Sequence, residues 1–458
     1  MEAMASETIP AERLVRPDDA GYEEARQVWN GMISHRPAVI ARVESIDEVV
    51  AALALARAEG LPVSIRGGGH NVAGLAVGDA ALVIDLSAMS SVSVDTNARR
   101  ARVGGGARWG DLDAAAQAHG LATPGGVVSD TGVAGLTLSG GLGWLRRKHG
   151  LSCDALRAAT VVTADGRVVR ASADEHPDLF WGLRGGGGNF GVVTEFEFEL
   201  FPLGPTVATT VAIWPIAEAV TVLGDFRRLA PTLPDEVSPV AVLSPVPDDD
   251  AFPSSIRGGD GLFILAMAAA PVEEGAALLR PIAALGGGAA IDIGGPASYV
   301  EFQQFFDEEY PAHTMRYYWK SSFADDLSDG LIDQLVGAFG RRPSHHSTID
   351  IWANGGAIAR VTQEDSAFGQ RTAPWLISPE SNWESADDDA SNLAWAREIV
   401  TAVGGSAYLN FPGLLEEGDA QARSSHGGTF DRLAEVKAAW DPDNVFRFNA
   451  NISPATRA

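Results

Sequence analysis

Hydrophobic residues in the first half of the chain follow two periods, one typical of helices and one typical of strands. Residues 46–59 place apolar side chains three and four positions apart, which predicts an amphipathic helix. Short apolar segments at 61–65 and 81–86 predict strands, and the alternation of apolar and polar residues over 192–200 predicts another. Helices and strands alternate in this way from about residue 35 to about residue 205. The pattern is typical of an α+β fold.

The composition and pattern of the sequence change near residue 205. Beyond it, prolines, acidic triplets and a strand pattern at 261–267 indicate a second domain. After residue 407 the sequence again has the pattern of a compact domain, with a helix predicted near 430–440. We therefore expect the C-terminus to return to the first domain. A chain of 458 residues is too long for one compact core. The predicted boundaries are 1–205 for the first domain (core 35–204), 206–405 for the second and 406–458 for the returning segment.

Composition limits the classes of function. Hydrophobic residues make up 46% of the chain and charged residues 21%, which is typical of a soluble globular protein, and no apolar run is long enough to span a membrane. A net charge of -26 argues against a nucleic-acid partner, because phosphate binding needs a basic stripe. Residues 1–14 lack a basic patch followed by an apolar core, so we expect no secretory signal and a cytoplasmic location. The single cysteine, Cys153, excludes an internal disulfide and an iron–sulfur site, so redox chemistry requires a bound cofactor.

The first candidate site is the segment 66–71, Arg-Gly-Gly-Gly-His-Asn, between two predicted strands. Its three adjacent glycines have no β-carbon, so backbone N–H groups can converge there on an anion, and an arginine and a histidine flank them. For an isolated segment of this kind, a tight glycine turn with an incidental histidine is the alternative. Two more glycine clusters, at 140–143 and 185–188, favour several loops that meet one large ligand.

A Gly-x-Gly-x-x-Gly fingerprint occurs at 186–191. In a Rossmann fold this motif follows a strand and opens a helix. Here the residues after it alternate with period two and predict a strand. We therefore expect no Rossmann NAD site, and we interpret the cluster as a loop that enters a strand close to a ligand or to another loop.

Four segments together resemble a known family of flavoproteins. They are the glycine loop at 66–71 and the stretches 132–143, 178–194 and 441–452. In this order, and over nearly the whole chain, they are similar to the vanillyl-alcohol-oxidase-type flavoproteins and most similar to their berberine-bridge-enzyme-like branch. The resemblance implies an α+β fold in which both chain ends form a two-subdomain PCMH-type FAD-binding domain. The residues between them would form a substrate domain with an antiparallel sheet flanked by helices.

The resemblance also implies how FAD is held. The glycine loop would bind the pyrophosphate, and His70 would form a covalent 8α-histidyl bond to the isoalloxazine ring. Some members of the branch have a second link through a cysteine, but Val128 occupies that position here. Cys153 lies too far along the chain and is expected to be a small buried residue, so one covalent link is expected. The other residues that the resemblance assigns to FAD binding are Arg66, Gly67, Gly68, Gly69, Asn71, Gly132, Gly135, Ser139, Gly140, Gly141, Gly143, Val193 and Asn449.

For catalysis the resemblance indicates Tyr408 and Asn410, in a Tyr-x-Asn stretch that faces the flavin. Oxidation of an alcohol needs a base near the reacting carbon, and Tyr408 is the predicted base if its surroundings lower its pKa from the usual value near 10. An amine substrate can enter neutral and needs no such base. Thr131 stands where the branch has a residue that controls the access of oxygen, and its small side chain favours an oxidase.

We therefore predict an FAD-dependent oxidase that takes a hydride from a CH–OH or CH–NH group of a small organic substrate to flavin N5. The electrons would pass to O₂ and give H₂O₂. A flavin dehydrogenase or oxidative cyclase of the same fold is the alternative, and a non-catalytic flavin-binding protein is an alternative of another class. No metal site is predicted, because the pair His345 and His346 lacks further ligands at metal spacing. No nucleic-acid or membrane partner is expected, and the chain would be a monomer or a homodimer.

Overall fold

The computed structural model describes residues 9–456, so the first eight residues of the segment considered for a secretory signal lie outside the described part. The first sheet has four strands, of which the first is antiparallel to its neighbour and the others are parallel. The order of the strands in this first sheet is Leu14–Val15, Val39–Arg42, Leu82–Asp85 and Val63–Arg66.

The helix predicted over residues 46–59 is confirmed as Ile46–Glu59, and it covers the first sheet. Ser45 caps its first turn by accepting a hydrogen bond from the backbone N–H of Glu48. Gly60 ends it in the left-handed region, with a φ of 68°. The side chains of Val49 and Leu53 are buried against the sheet. The apolar positions in the sequence therefore correspond to the buried face of this helix.

A second sheet has five antiparallel strands. The strand predicted over 192–200 is confirmed as Val192–Glu199, at the centre of this sheet, so the Gly-x-Gly-x-x-Gly motif opens a strand and no helix. The order of the second sheet is Val92–Asp95, Arg100–Gly104, Val192–Glu199, Leu156–Val162 and Val168–Ser172. A separate short ladder pairs Leu121–Ala122 with Phe201–Pro202.

The third and largest sheet has nine antiparallel strands, all from the middle of the chain. The strand predicted at 261–267 is confirmed as Asp260–Ala268. Along the large sheet the order is Ile291–Asp292, Thr206–Pro215, Asp260–Ala268, Val237–Pro245, Thr348–Ala353, Trp375–Trp383 and Arg316–Trp319. Two short strands complete it, because Gly295–Ser298 pairs with Thr206–Pro215 and Ser322–Ala324 pairs with Trp375–Trp383. These sheets and their helices confirm the predicted α+β fold with a central antiparallel sheet.

The two faces of the large sheet have different neighbours, because side chains alternate along each strand. Its outer face packs against four helices, Ala219–Leu229, Val272–Ala283, Asp329–Phe339 and Asp389–Val403. Its inner face carries Val240 and Trp352 and packs against Leu142 and Trp144 from the N-terminal half. The inner face is therefore the surface on which the two halves of the protein meet.

Arg146 ties these halves together at the inner face. Its guanidinium is fully buried and donates to the backbone carbonyls of Pro239 and Ala353, on two strands of the large sheet. It also lies 5.0 Å from the ring of Trp352. Burial, and then the charge of neighbouring Arg147, lowers the pKa of Arg146 to about 9. A buried cation whose donors meet carbonyl oxygens in this way fixes the register between the halves.

The remaining helices connect and flank the sheets. None of the helices in residues 9–456 combines the length and apolar character needed to cross a membrane. The remaining α-helices are Tyr22–Ala25, Trp109–Gln117, Val133–Leu138, Arg146–His149, Ser152–Ala155, Pro177–Leu183, Tyr299–Gln303, Ala357–Arg360, Asp419–His426 and Phe430–Trp440. Short 3-10 helices are Ala11–Arg13, Ile216–Glu218, Ala230–Thr232, Leu285–Gly287, Asp307–Glu309, Ala386–Asp388 and Gly427–Thr429.

The C-terminal helix Phe430–Trp440, confirmed where it was predicted, packs against the N-terminal half. Its Leu433 and Val436 lie in the same core as the second sheet. Its Lys437 is fully buried and donates to the carbonyl of Asn189 at 2.8 Å and to the carboxylate of Asp441 at 2.6 Å. Burial lowers the pKa of Lys437, and the Asp441 charge opposes that effect. The three domain boundaries given above stay predictions.

Replacing Lys437 by methionine is expected to destabilise the protein, because Asp441 would stay buried without its cation. We expect Lys437→Met to lower the free energy of unfolding by about 3–5 kcal/mol, measured by chemical denaturation. The matched control is Lys148→Met, whose side chain is 33% exposed and lies 3.6 Å from Glu236. Its expected loss is below about 1 kcal/mol. Equal losses in both variants would contradict the role given to the buried pair.

Candidate active site

A long cavity lies between the loops of the N-terminal half and the inner face of the large sheet. The space between these walls and at the open mouth of the cavity adds up to about 1830 Å³. Its walls come from the loop 67–72, from residues 126–139 with their short helix, from strands Thr348–Ala353 and Trp375–Trp383, and from the C-terminal segments 408–412 and 446–450.

The glycine loop forms one end of the cavity, directly after strand Val63–Arg66. Within the described residues, no acceptor takes a hydrogen bond from the backbone N–H groups of 67–71. Such a run of free donors suits the oxygens of a diphosphate. A β-carbon on Gly68 would lie 2.5 Å from the backbone of Gly132, and one on Gly132 would lie 2.4 Å from the Gly68 nitrogen. Both loops therefore need glycine at the point where they meet.

His70 lines the cavity beside this loop. Its Nε2 is 2.9 Å from Asp130 Oδ1, and its ring stacks on Trp29 at 4.2 Å between centroids. Val128, where some members of the branch would have a cysteine, also lines the cavity. Cys153 is confirmed as a buried free cysteine outside the cavity wall, and burial raises the pKa of its thiol to about 12.

Asn449, from the C-terminal segment, offers a test of whether FAD fits the cavity. Its Nδ2 donates to the carbonyls of Gly188 and Phe446, whereas its Oδ1 is buried and has no partner among residues 9–456. A buried acceptor without a partner costs about 1–3 kcal/mol. This oxygen therefore fits an N–H donor on a bound ligand. Together with the free N–H groups of the glycine loop, it gives a donor and acceptor set that FAD matches.

Tyr408 lies across the cavity and is almost completely buried. Its Oη accepts hydrogen bonds from the backbone N–H groups of Gly141, at 2.8 Å, and Leu142, at 3.2 Å, and from Asn410 Nδ2, at 2.7 Å. Burial raises the pKa of Tyr408 to about 12, although these three hydrogen bonds act in the opposite direction. Without a cofactor, Tyr408 is therefore a neutral phenol at pH 7.

Two carboxyl groups on the inner face of the large sheet also line the cavity, and they were not among the predicted site residues. Asp350 pairs with Ser378, and Thr348 pairs with Glu380, so Asp350 and Glu380 are diagonal neighbours on one face. They are 5% and 3% exposed. Tyr310 donates to Glu380 at 2.8 Å, and no lysine or arginine of the described chain lines the cavity.

Burial raises the pKa of both carboxyl groups above their usual values, and the charge of Asp350 raises that of Glu380 further. One signal in the sequence could have identified these two carboxyl groups. Each is the only ionisable residue in a buried strand, and an ionisable side chain in such a strand is rarely placed for packing.

Most of the predicted site residues lie together in the cavity wall, and four do not. Arg66 turns away and pairs with Asp85 at 2.6 Å. Gly140, Gly141 and Gly143 are needed for close packing, since β-carbons there would meet Phe368, Ser152 and the Gly125 carbonyl respectively. The residues that do line the cavity are Gly67, Gly68, Gly69, His70, Asn71, Thr131, Gly132, Gly135, Ser139, Val193, Tyr408, Asn410 and Asn449. Across residues 9–456, no group of three or more His, Cys, Asp or Glu side chains could hold a metal ion.

Comparisons with known proteins agree with this fold and cavity. Residues 37–172 match the family model of the FAD binding domain, and residues 407–453 match the model described as berberine and berberine like. The chain is 32% identical to (R)-6-hydroxynicotine oxidase of Paenarthrobacter nicotinovorans, over 96% of each chain. It is 29% identical to the FAD-linked oxidoreductase YgaK of Bacillus subtilis, over 97% of this chain and 98% of the relative.

Two solved structures of similar fold are also oxidases by their names. The 6-hydroxy-D-nicotine oxidase of Arthrobacter nicotinovorans has a TM-score of 0.84 at 28% identity, and the match covers 96% of this chain and 98% of that one. A chitooligosaccharide oxidase has a TM-score of 0.85 at 25% identity, with 97% of both chains covered. Fold, cavity and comparisons together define a flavin-dependent oxidoreductase. The chain belongs to the berberine-bridge-enzyme-like family of FAD-linked oxidoreductases.

The carboxyl pair is expected to make the protein less stable as the pH rises. Because the folded state raises both pKa values, it binds more protons than the unfolded state, and stability falls between about pH 4 and pH 8. We expect the double variant Asp350→Asn, Glu380→Gln to be more stable than wild type at pH 8, by at least about 1 kcal/mol, and to differ less at pH 5.

Chemical denaturation at both pH values measures this effect. The control is Glu398→Gln, a surface carboxylate that is 67% exposed, and its pH dependence should match that of wild type. A double variant whose stability follows the wild-type curve at both pH values would show that the pair does not titrate as described.

Proposed function

We propose that this FAD-linked oxidoreductase is an oxidase that holds FAD through one covalent bond to His70 and oxidises a CH–NH or CH–OH group of a small organic substrate. The observation that supports it is one cavity, in which the glycine loop and His70 face Tyr408 and two buried carboxyl groups. When bound, FAD accepts a hydride at N5 and passes the electrons to dioxygen, giving H₂O₂.

The FAD side of the cavity would use groups that the protein itself leaves unpaired. The N–H groups of 67–71 would bind the diphosphate, and Asn449 Oδ1 would accept a hydrogen bond from the cofactor. His70 would be the single tether, because Val128 lines the wall where a second link would need a thiol.

The carboxyl pair favours a CH–NH substrate. Asp350 and Glu380 have no cationic partner in the described cavity wall, so a substrate nitrogen that brings a proton or a positive charge would supply one. Either carboxylate could also accept the proton that leaves the substrate nitrogen before hydride transfer. The name of one relative, (R)-6-hydroxynicotine oxidase, agrees with a substrate of this class.

Tyr408 stays the predicted base for a CH–OH substrate. Its Oη has three N–H donors and, among the described residues, no acceptor for its own proton. A phenolate can accept all three bonds, so this arrangement stabilises the deprotonated form. Because burial holds the pKa near 12, the bound cofactor would have to lower it by several units before Tyr408 could act at neutral pH.

A peroxide-coupled assay over a panel of small amines and alcohols tests the substrate class. We expect turnover of amines, and we expect Glu380→Gln to raise their KM by about 10- to 100-fold, because it removes a charge-assisted hydrogen bond. The exposed variant Glu398→Gln should leave KM unchanged.

Tyr408→Phe separates the two reactions in the same assay. If the enzyme instead turns over alcohols, this variant should lower kcat by roughly 10²- to 10⁴-fold, and the argument from the carboxyl pair fails. A flavin-loaded protein that produces peroxide from no amine or alcohol would contradict the oxidase proposal.

The choice of electron acceptor is tested at Thr131, which lines the cavity. Thr131→Leu fills the space beside the flavin, so we expect reoxidation by O₂ to slow by at least about tenfold, equivalent to ~1.4 kcal/mol in the barrier. Turnover with a soluble dye as acceptor should persist. Stopped-flow reoxidation measures the first rate, and equal rates with O₂ in wild type and variant would remove Thr131 from this role.

Location and assembly are also part of the proposal. A cytoplasmic location is supported by the single cysteine, which forms no disulfide. A monomer or a homodimer is expected from the sequence alone.

A further inference from the structure

Asp130 lies beside His70, in the loop that leads into helix Val133–Leu138. Its Oδ1 is 2.9 Å from His70 Nε2, and no described residue forms a hydrogen bond with His70 Nδ1. Burial by itself would raise the pKa of Asp130, but the hydrogen bond from His70 and the electrostatic interactions with His70, Arg108 and His313 hold it below its usual value. A carboxylate therefore faces Nε2 at neutral pH.

The plane of the His70 ring is fixed by a separate set of contacts. The ring stacks on Trp29 with an interplanar angle of 20°, and Trp29 stacks in turn on Tyr317 at 3.8 Å. The Nε1 of Trp29 donates to the carbonyl of Tyr310 at 3.1 Å, which anchors the stack to the substrate side of the cavity. Stacking orients the ring but does not decide which nitrogen carries the proton, and the contact with Asp130 does.

We propose that Asp130 is the positioning residue that makes Nδ1 of His70 the nucleophile in covalent attachment of FAD, by keeping the imidazole proton on Nε2. This inference rests on the proposed covalent link. A neutral imidazole has one donor and one acceptor nitrogen, so a carboxylate that accepts from Nε2 leaves the Nδ1 lone pair free. The same carboxylate stabilises the positive charge that the ring gains when Nδ1 bonds to carbon.

Covalent attachment oxidises the 8-methyl carbon of the flavin, and dioxygen is the oxidant. A bond forms between Nδ1 and the carbon of the flavin 8-methyl group, and one C–H bond of that methyl group breaks. One proton leaves from the methyl group and one from Nε2, where Asp130 is in place to receive it. The electron pair passes through the isoalloxazine ring to O₂, which takes up two protons and gives one H₂O₂ for each flavin attached.

The rate of attachment tests this role. Full-length protein from riboflavin-limited cells is mixed with FAD in air, and the flavin that survives acid precipitation is measured over time. We expect Asp130→Asn to slow attachment by about 10- to 100-fold, because its amide can accept from Nε2 but cannot stabilise the cation. Asp130→Ala should be slower still, and Asp130→Glu should recover part of the rate. The dissociation constant for FAD should stay within about threefold of wild type in all three variants.

A control variant separates positioning from folding. Asp307 holds the adjacent Ser129 through its backbone N–H and its hydroxyl, so Asp307→Asn disturbs the same loop without touching His70. Its attachment rate should match that of wild type. The inference is overturned if Asp130→Ala attaches FAD at the wild-type rate, if Asp307→Asn is slowed as much as Asp130→Asn, or if FAD affinity falls in proportion to the rate. A wild-type protein that releases all its FAD in acid, like His70→Ala, would overturn the proposed covalent link itself.

Discussion

The contact between two backbone segments at Gly68 and Gly132 is the constraint on which the cofactor side of the cavity depends. Neither residue can carry a β-carbon unless the opposite loop moves. Because the loops touch, the free N–H groups of 67–71 and the segment with Asp130 and Thr131 reach the same end of the cavity. The groups expected to act on the flavin ring are thus positioned by a contact that contains no side chain.

The inner face of the large sheet buries both basic and acidic side chains, with different physical consequences. Arg146 and Arg147 donate to backbone carbonyls across the junction of the two halves, so their polar hydrogens are largely paired. Asp350 and Glu380 have one neutral hydrogen-bond donor each, and no cation faces them in the described cavity wall. The two arginines join parts of the fold. The two carboxyl groups cost stability when they ionise, and a cleft that keeps such groups is typical of a functional site.

Patterns within a short stretch of sequence are sufficient to predict the elements whose formation depends on that stretch alone. Helix Ile46–Glu59 has its own cap residues, and strand Val192–Glu199 has its own alternation. Asp350 and Glu380 lie far apart in the chain, and only the register between their strands brings them to one face. That register depends on packing across the whole sheet, which a linear pattern does not contain. Likewise, a glycine that faces a ligand and one that packs under a carbonyl, such as Gly143, look the same in the sequence.

The position of Cys153 has a consequence for the proposed oxidase reaction, whose product would be hydrogen peroxide. Peroxide attacks the thiolate and not the thiol, and the thiol of Cys153 is fully buried with its pKa raised to about 12. At pH 7 this thiol therefore stays protonated. The chain has no other cysteine, so the proposed oxidase would expose no reactive thiol to its peroxide and should withstand many turnovers without sulfenic acid damage.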